Sequence, residues 1–151
     1  PESVSVGAGA TFSISLVNSG QAPCLIDVGS QALGVRVSSG SQQVWDSVTC
    51  PVGQTEKALL LPAGKGADVN VTWNGNAATS DCAAANAAPA SPASPAGASA
   101  SSTPSATASS ASPSAGQAQT APGSAAGAGT YRFRFVMGDK DLTEDRVFVV
   151  G

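Results

Sequence analysis

Thr11-Phe12-Ser13-Ile14-Ser15-Leu16-Val17-Asn18-Ser19-Gly20 decides the fold class. Phe12, Ile14 and Leu16 alternate with Ser13, Ser15 and Val17, the period of a strand with one buried face, and Asn18-Ser19-Gly20 supplies the turn that ends it. The same period recurs outward from this stretch. Leu33, Val35 and Val37 alternate with Gly34, Arg36 and Ser38 ahead of Ser39-Gly40, and a short strand over residues 43–46 carries Trp45. Leu59-Leu60-Leu61 runs into Pro62-Ala63-Gly64, and Val69, Val71 and Trp73 alternate with Asp68, Asn70 and Thr72 before Asn74-Gly75. Towards the C-terminus Tyr131, Phe133, Phe135 and Met137 alternate with Arg132, Arg134, Val136 and Gly138, and Val147 and Val149 flank Phe148. No stretch of ten or more residues has helical apolar spacing. The pattern predicts an all-β fold, an immunoglobulin-like antiparallel β-sandwich of seven to eight strands.

One stretch carries no such pattern. Residues 83–128 number 46, of which 19 are Ala, 11 Ser and 6 Pro, with no charged, aromatic or large aliphatic side chain. Such a composition cannot build a core, and it predicts disorder. Subtracting it from 151 leaves 105 residues that hold all seven aromatic rings and all 17 charges, the size of one small domain. Its place between the Trp73 and Tyr131 strands makes it an insertion within a single domain spanning 1–151. Lengthening a loop from about 10 to about 56 residues costs only about 1.5 kcal/mol of closure entropy, so the fold tolerates it. A glycosylated or wall-spanning stalk is one use for such a segment; a neutral insertion at a permissive loop tip is the expected one.

Seven basic and ten acidic residues give a net charge of -3, which excludes the electrostatic footprint of a nucleic-acid binder. No apolar run approaches the roughly 18 residues of a membrane span, so any membrane attachment is expected through a segment outside this chain. His is absent, which removes His-based triads and His-ligated zinc or haem. There is no Ser-x-x-Lys or Gly-x-Ser-x-Gly, Lys57 and Lys65 lie near turns without a nucleophile partner, and Asp27, Asp46, Asp68 and Asp81 define no cleft. Neither enzyme activity nor a cofactor is expected. The three cysteines allow three single pairings. Cys50 and Cys82 both lie in polar loops next to a Trp-bearing strand, which favours their disulfide and leaves Cys24 over.

Four features remain as candidate sites. Asp139, Asp141, Glu144 and Asp145 could offer a calcium ion three or four oxygens, but no Gly stands at the sixth position of an EF-hand loop. With Lys140 and Arg146 among them, they are expected to form a solvated hairpin tip. Trp73 is expected to fill the core, as is Trp45, although its short peripheral strand keeps it a candidate ligand contact. Arg132 and Arg134 emerge on one strand face, as surface charges able to pair with acidic neighbours or as contacts to an anionic wall polymer. Asn70-Val71-Thr72 has the form of a glycosylation sequon but falls mid-strand.

Taken in order, Thr11 to Gly20, Val44-Trp45, Leu61-Pro62-Ala63-Gly64-Lys65, Val71-Thr72-Trp73 and Gly129-Thr130-Tyr131-Arg132-Phe133 resemble the bacterial intracellular proteinase inhibitor (BsuPI-type) family. That family has an immunoglobulin-like sandwich with comparable turns and Trp-bearing strands in this order. The cysteines depart from its cytosolic members. Cys24-Leu25-Ile26-Asp27-Val28-Gly29, Cys50 after Val44-Trp45-Asp46-Ser47, and Ser80-Asp81-Cys82 are similar to an uncharacterised exported, membrane-anchored group of high-GC bacteria. The resemblance implies an extracytoplasmic location at the cell surface of a Gram-positive-type bacterium. The expected function is a non-enzymatic binding or structural module of the cell envelope, its partner an unknown protein or envelope polymer. The alternatives are a proteinase inhibitor and a cell-wall polymer binder.

Overall fold

The computed structural model describes residues 1–78, 82–83 and 123–151. The bulk of the Ala/Ser/Pro-rich stretch, and with it the expectation of disorder there, lies outside the described residues. The chain is all-β, with sheets that are antiparallel except for one parallel pairing. Its strands are β1 (Ser3–Val4), β2 (Ala10–Val17), β3 (Cys24–Asp27), β4 (Leu33–Ser39), β5 (Gln42–Asp46), β6 (Ala58–Leu61), β7 (Gly66–Trp73), β8 (Gly129–Met137), β9 (Lys140–Asp141) and β10 (Arg146–Val150). Against the seven to eight strands expected, the described residues form ten. β1 and β9 have two residues each, too few to show alternation, and β3 is a Cys-Leu-Ile-Asp run without it.

The large sheet has the order β1-β10-β8-β4-β5, with β9 pairing to the far end of β8. β2 pairs with β7 and β3 with β6 in two separate ribbons. Alternation decides which side chains meet. In β8, Tyr131, Phe133 and Phe135 are buried while Thr130 and Arg132 are exposed, and Leu33, Val35 and Val37 of β4 stand directly opposite Met137, Phe135 and Phe133. Phe12 of β2 closes on this surface, its ring 4.5 Å from that of Phe133 and 5.7 Å from that of Phe148. Fully burying one such ring stabilises the fold by roughly 1.5–3 kcal/mol. The opposite face of the β2–β7 ribbon is polar and zipped across the strands. Ser13 donates to Asn70 at 2.6 Å, Ser15 donates to Asp68, and the Thr11 and Thr72 hydroxyls lie 3.3 Å apart. Asn70, the would-be sequon residue, is thus a cross-strand acceptor.

The loop after β5 folds back over the large sheet because Gly34 has no side chain. A Cβ there would lie 2.5 Å from Ser47 Oγ and from a Val48 methyl. The Ser47 hydroxyl accepts the Val35 N–H at 2.8 Å, and the Asp46 carboxylate accepts the Val48 N–H at 2.9 Å. The Cys50 N–H closes the turn onto the Asp46 carbonyl at 3.2 Å. These bonds set Cys50 into the core, where it is fully buried and disulfide-bonded to Cys82.

The stretch expected to contribute no burial must be shortened. Its last residues, 123–128, belong to the fold: Ala77 donates to Ser124 at 2.9 Å, Ala126 donates to Gly75 at 2.8 Å, and Ala126 is buried in the aromatic core. Ala126, 1% exposed, is thus a packed core residue despite the low hydrophobicity of its surroundings in sequence.

Candidate functional site

The site is built where two ribbons diverge. β6 and β7 are consecutive strands joined by the turn at residues 62–65, yet β6 pairs with β3 and β7 with β2. Asn18 pins their common corner. Its side-chain amide donates to the Leu61 carbonyl at 2.9 Å and the Ala22 carbonyl at 2.8 Å, and its N–H donates to Lys65 at 2.9 Å. Beyond that corner the strands separate and leave a cleft of about 560 Å³. Leu59 and Lys57 line one wall, residues 67–72 of β7 the other, and Trp45 and Leu33 of the large sheet contribute the floor.

Trp45 is 1% exposed, and its indole Nε1 has no hydrogen-bond partner among the described residues. Trp73, equally buried, donates from Nε1 to the Asn76 carbonyl at 2.8 Å. A buried donor usually finds an acceptor, so Trp45 stands out from Trp73 as an indole whose Nε1 is closed off beneath the cleft without one. Its strand is less peripheral than its place at the sheet's end suggests, because Ala78 bridges to Trp45 and donates to the Val44 carbonyl at 2.8 Å.

The rim beside the cleft is held by Asp27. Its carboxylate accepts the N–H groups of Lys57 and Gly29, both at 2.8 Å, tying the end of β3 to the approach of β6. Those two donors, Lys57 first, hold its pKa below the ordinary 3.8. A depressed folded-state pKa adds stability above the unfolded value and loses it as pH falls through the folded one. Asp27→Ala should therefore melt below wild type at neutral pH, and the two melting curves should converge as pH drops below 3.8. Thermal melts across that range check this, and a constant gap would refute it.

Arg132 and Arg134 both project from the outer face of β8 but differ in state. Arg134 pairs with Asp141 at 2.7 Å and with Asp145 at 2.8 Å, and the Asp141 bond raises its pKa. Arg36, opposite Arg134 in register, pairs with the buried Asp46 at 3.0 Å. Arg132 is exposed and has no ion pair among the described residues. The acidic candidates for calcium are thereby divided, with Asp141 and Asp145 turned to Arg134 and Asp139 and Glu144 exposed. Among the described residues no three His, Cys, Asp or Glu side chains group as a metal site. Cys24 is a free, exposed thiol. The cleft itself was not legible in sequence, since it arises from the divergence of β6 and β7. The nearest signal was Asn18, read only as a turn residue. In comparisons with known proteins, no family model and no curated protein matches the chain.

Proposed function

We propose that the chain is a non-enzymatic, extracytoplasmic binding or structural module of a bacterial envelope protein, folded as an immunoglobulin-like β-sandwich similar to the BsuPI-type family. The observation that carries the binding role is the cleft above Trp45: open, lined by polar and apolar side chains in about equal measure, with Leu59 and Lys57 on one wall and β7 on the other. The rings of Phe12, Phe133 and Phe148, which join a ribbon to the large sheet, support the sandwich. The Cys50–Cys82 disulfide supports an oxidising location. The purified domain is expected to sediment with isolated cell envelopes at low salt, and Leu59→Glu at the cleft wall is expected to release it. A domain that stays in the supernatant, or a variant that pellets as wild type does, counts against this reading.

Residues 51–57 favour a second reading, a proteinase inhibitor. Val52 to Lys57 are exposed, yet the segment is anchored by the disulfide at Cys50 and by Ser30 and Gln31 N–H bonds to the Gln54 and Thr55 carbonyls, at 2.9 and 3.2 Å. A loop held this way loses little entropy on binding. Stoichiometric inhibition of an extracellular protease with the domain left intact would support it, and an unaffected panel of such proteases would remove it.

A further inference from the structure

We propose that the free edge of β2 is a docking strand for an extended peptide of a partner protein that carries a carboxylate. The proposal rests on the binding-module reading and assigns it a surface separate from the Trp45 cleft. β2 pairs along its whole length with β7, and among the described residues no strand pairs with its other edge. The Asn18 N–H continues the β7 ladder by donating to Lys65. Alternation along an antiparallel ladder then turns the backbone groups of Thr11, Ser13, Ser15 and Val17 towards the free edge.

This edge lacks the usual protection. Edges are ordinarily blunted by charges, Pro, bulges or shortness. The sequence Ala10–Val17 holds eight residues without a charge, Pro or Gly. The other margins among the described residues differ: β1 has two residues, β3 and β6 four each, β7 starts at Gly66 and carries Asp68, and β5 is bulged against β4 and bridged by Ala78. An unprotected edge of this length can take an added strand through main-chain bonds, with pockets for alternate side chains supplying selectivity.

A groove of about 620 Å³ lies along this edge. Ile14, Leu16, Phe133, Phe135 and Leu142 line it together with three hydroxyl side chains, and Arg146 is its sole charged lining residue. Arg146 stands opposite Phe133 in register, so it shares the inward face of the sheet with Phe133 and Phe148. Unlike Arg36 and Arg134, it has no ion pair among the described residues. A cation lining a groove of mixed character, beside unused strand donors and acceptors, complements a strand with apolar side chains on one face and a carboxylate among them. A second copy of this chain fits less well, because its own β2 would bring no carboxylate to Arg146.

The probe is a short fluorescein-labelled peptide of alternating valine and threonine with one glutamate, compared by anisotropy with its lysine counterpart. The glutamate peptide should bind about tenfold more tightly, and Arg146→Ala should abolish that difference. Ser15→Pro removes a donor from the free edge and the side-chain bond to Asp68 while leaving the backbone ladder to β7 in place, and should eliminate binding of both peptides. Should that variant fail to fold, Arg146→Glu should instead reverse the preference. Equal affinity for the two peptides, or full binding by a Ser15→Pro protein that melts as wild type does, overturns the proposal. A dimer in sedimentation velocity that Ser15→Pro dissociates also overturns it, by making a second copy the occupant. Such a failure would leave the envelope-sedimentation result untouched, so the two readings fail separately.

Discussion

Trp73→Ala is expected to lower unfolding free energy by about 3–5 kcal/mol, the range for removing a large aromatic side chain from a packed core. Trp73 is 1% exposed, and its ring lies 6.2 Å from Trp45, 6.3 Å from Tyr131 and 6.2 Å from Phe148. It therefore joins the β2–β7 ribbon to both β5 and the β8–β10 part of the large sheet. The truncation also removes the Nε1 donor to Asn76, whose neighbours hold the ends of the insertion together through the Asn76–Ala125 bridge. Trp73→Phe separates the two contributions, since it keeps a ring and loses the donor, a difference of about 1 kcal/mol for a net hydrogen bond. Domains of this size are stable by only about 5–15 kcal/mol, so the alanine variant should lose roughly a fifth or more of the total. Urea titrations give the answer as a shift in midpoint at constant slope. A Trp73→Ala protein within about 1 kcal/mol of wild type would contradict the packing described above.

The all-β class was legible because it rests on local alternation. In β2, β4 and β8 the apolar positions read from sequence are those that turn inward, and each strand is long enough for the period to register. What escaped depends on distant partners. Asp46 looks like an unremarkable strand-end acid, yet it is 3% exposed because Arg36 and the turn N–H groups of Val48 and Thr49 enclose it. Ala126 resembles its neighbours in a low-complexity stretch, and only the ladder with residues 75–78 makes it a core residue. The Trp45 cleft and the β2 groove share this origin. Both lie along strand margins, and a margin is defined by which strands fail to pair, a property that no local pattern of residues encodes.

Loss of the Cys50–Cys82 disulfide is the second change expected to have a large effect. The two cysteines are 32 residues apart in sequence, with β6 and β7 between them, and chain entropy alone gives a stabilisation of about 3.7 kcal/mol for a loop of this length. That contribution acts mainly on the unfolded chain, since the crosslink limits how far β7 can separate from the turn after β5. The folded state adds a packing share, because Cys50 is fully buried in the aromatic core and Cys82 packs partly against it. Replacing both cysteines by alanine should therefore lower unfolding free energy by about 2–4 kcal/mol, with a steeper urea dependence as the unfolded chain expands. Cys24→Ala should have no measurable effect, since that thiol is exposed and free. Alkylation of the unreduced, denatured protein followed by intact mass tests the pairing without mutation. One modified cysteine is the expected result. Three modified cysteines in protein recovered from an oxidising compartment would mean that the bond does not form, and the proposed extracytoplasmic location would lose the support that Cys50 and Cys82 lend it.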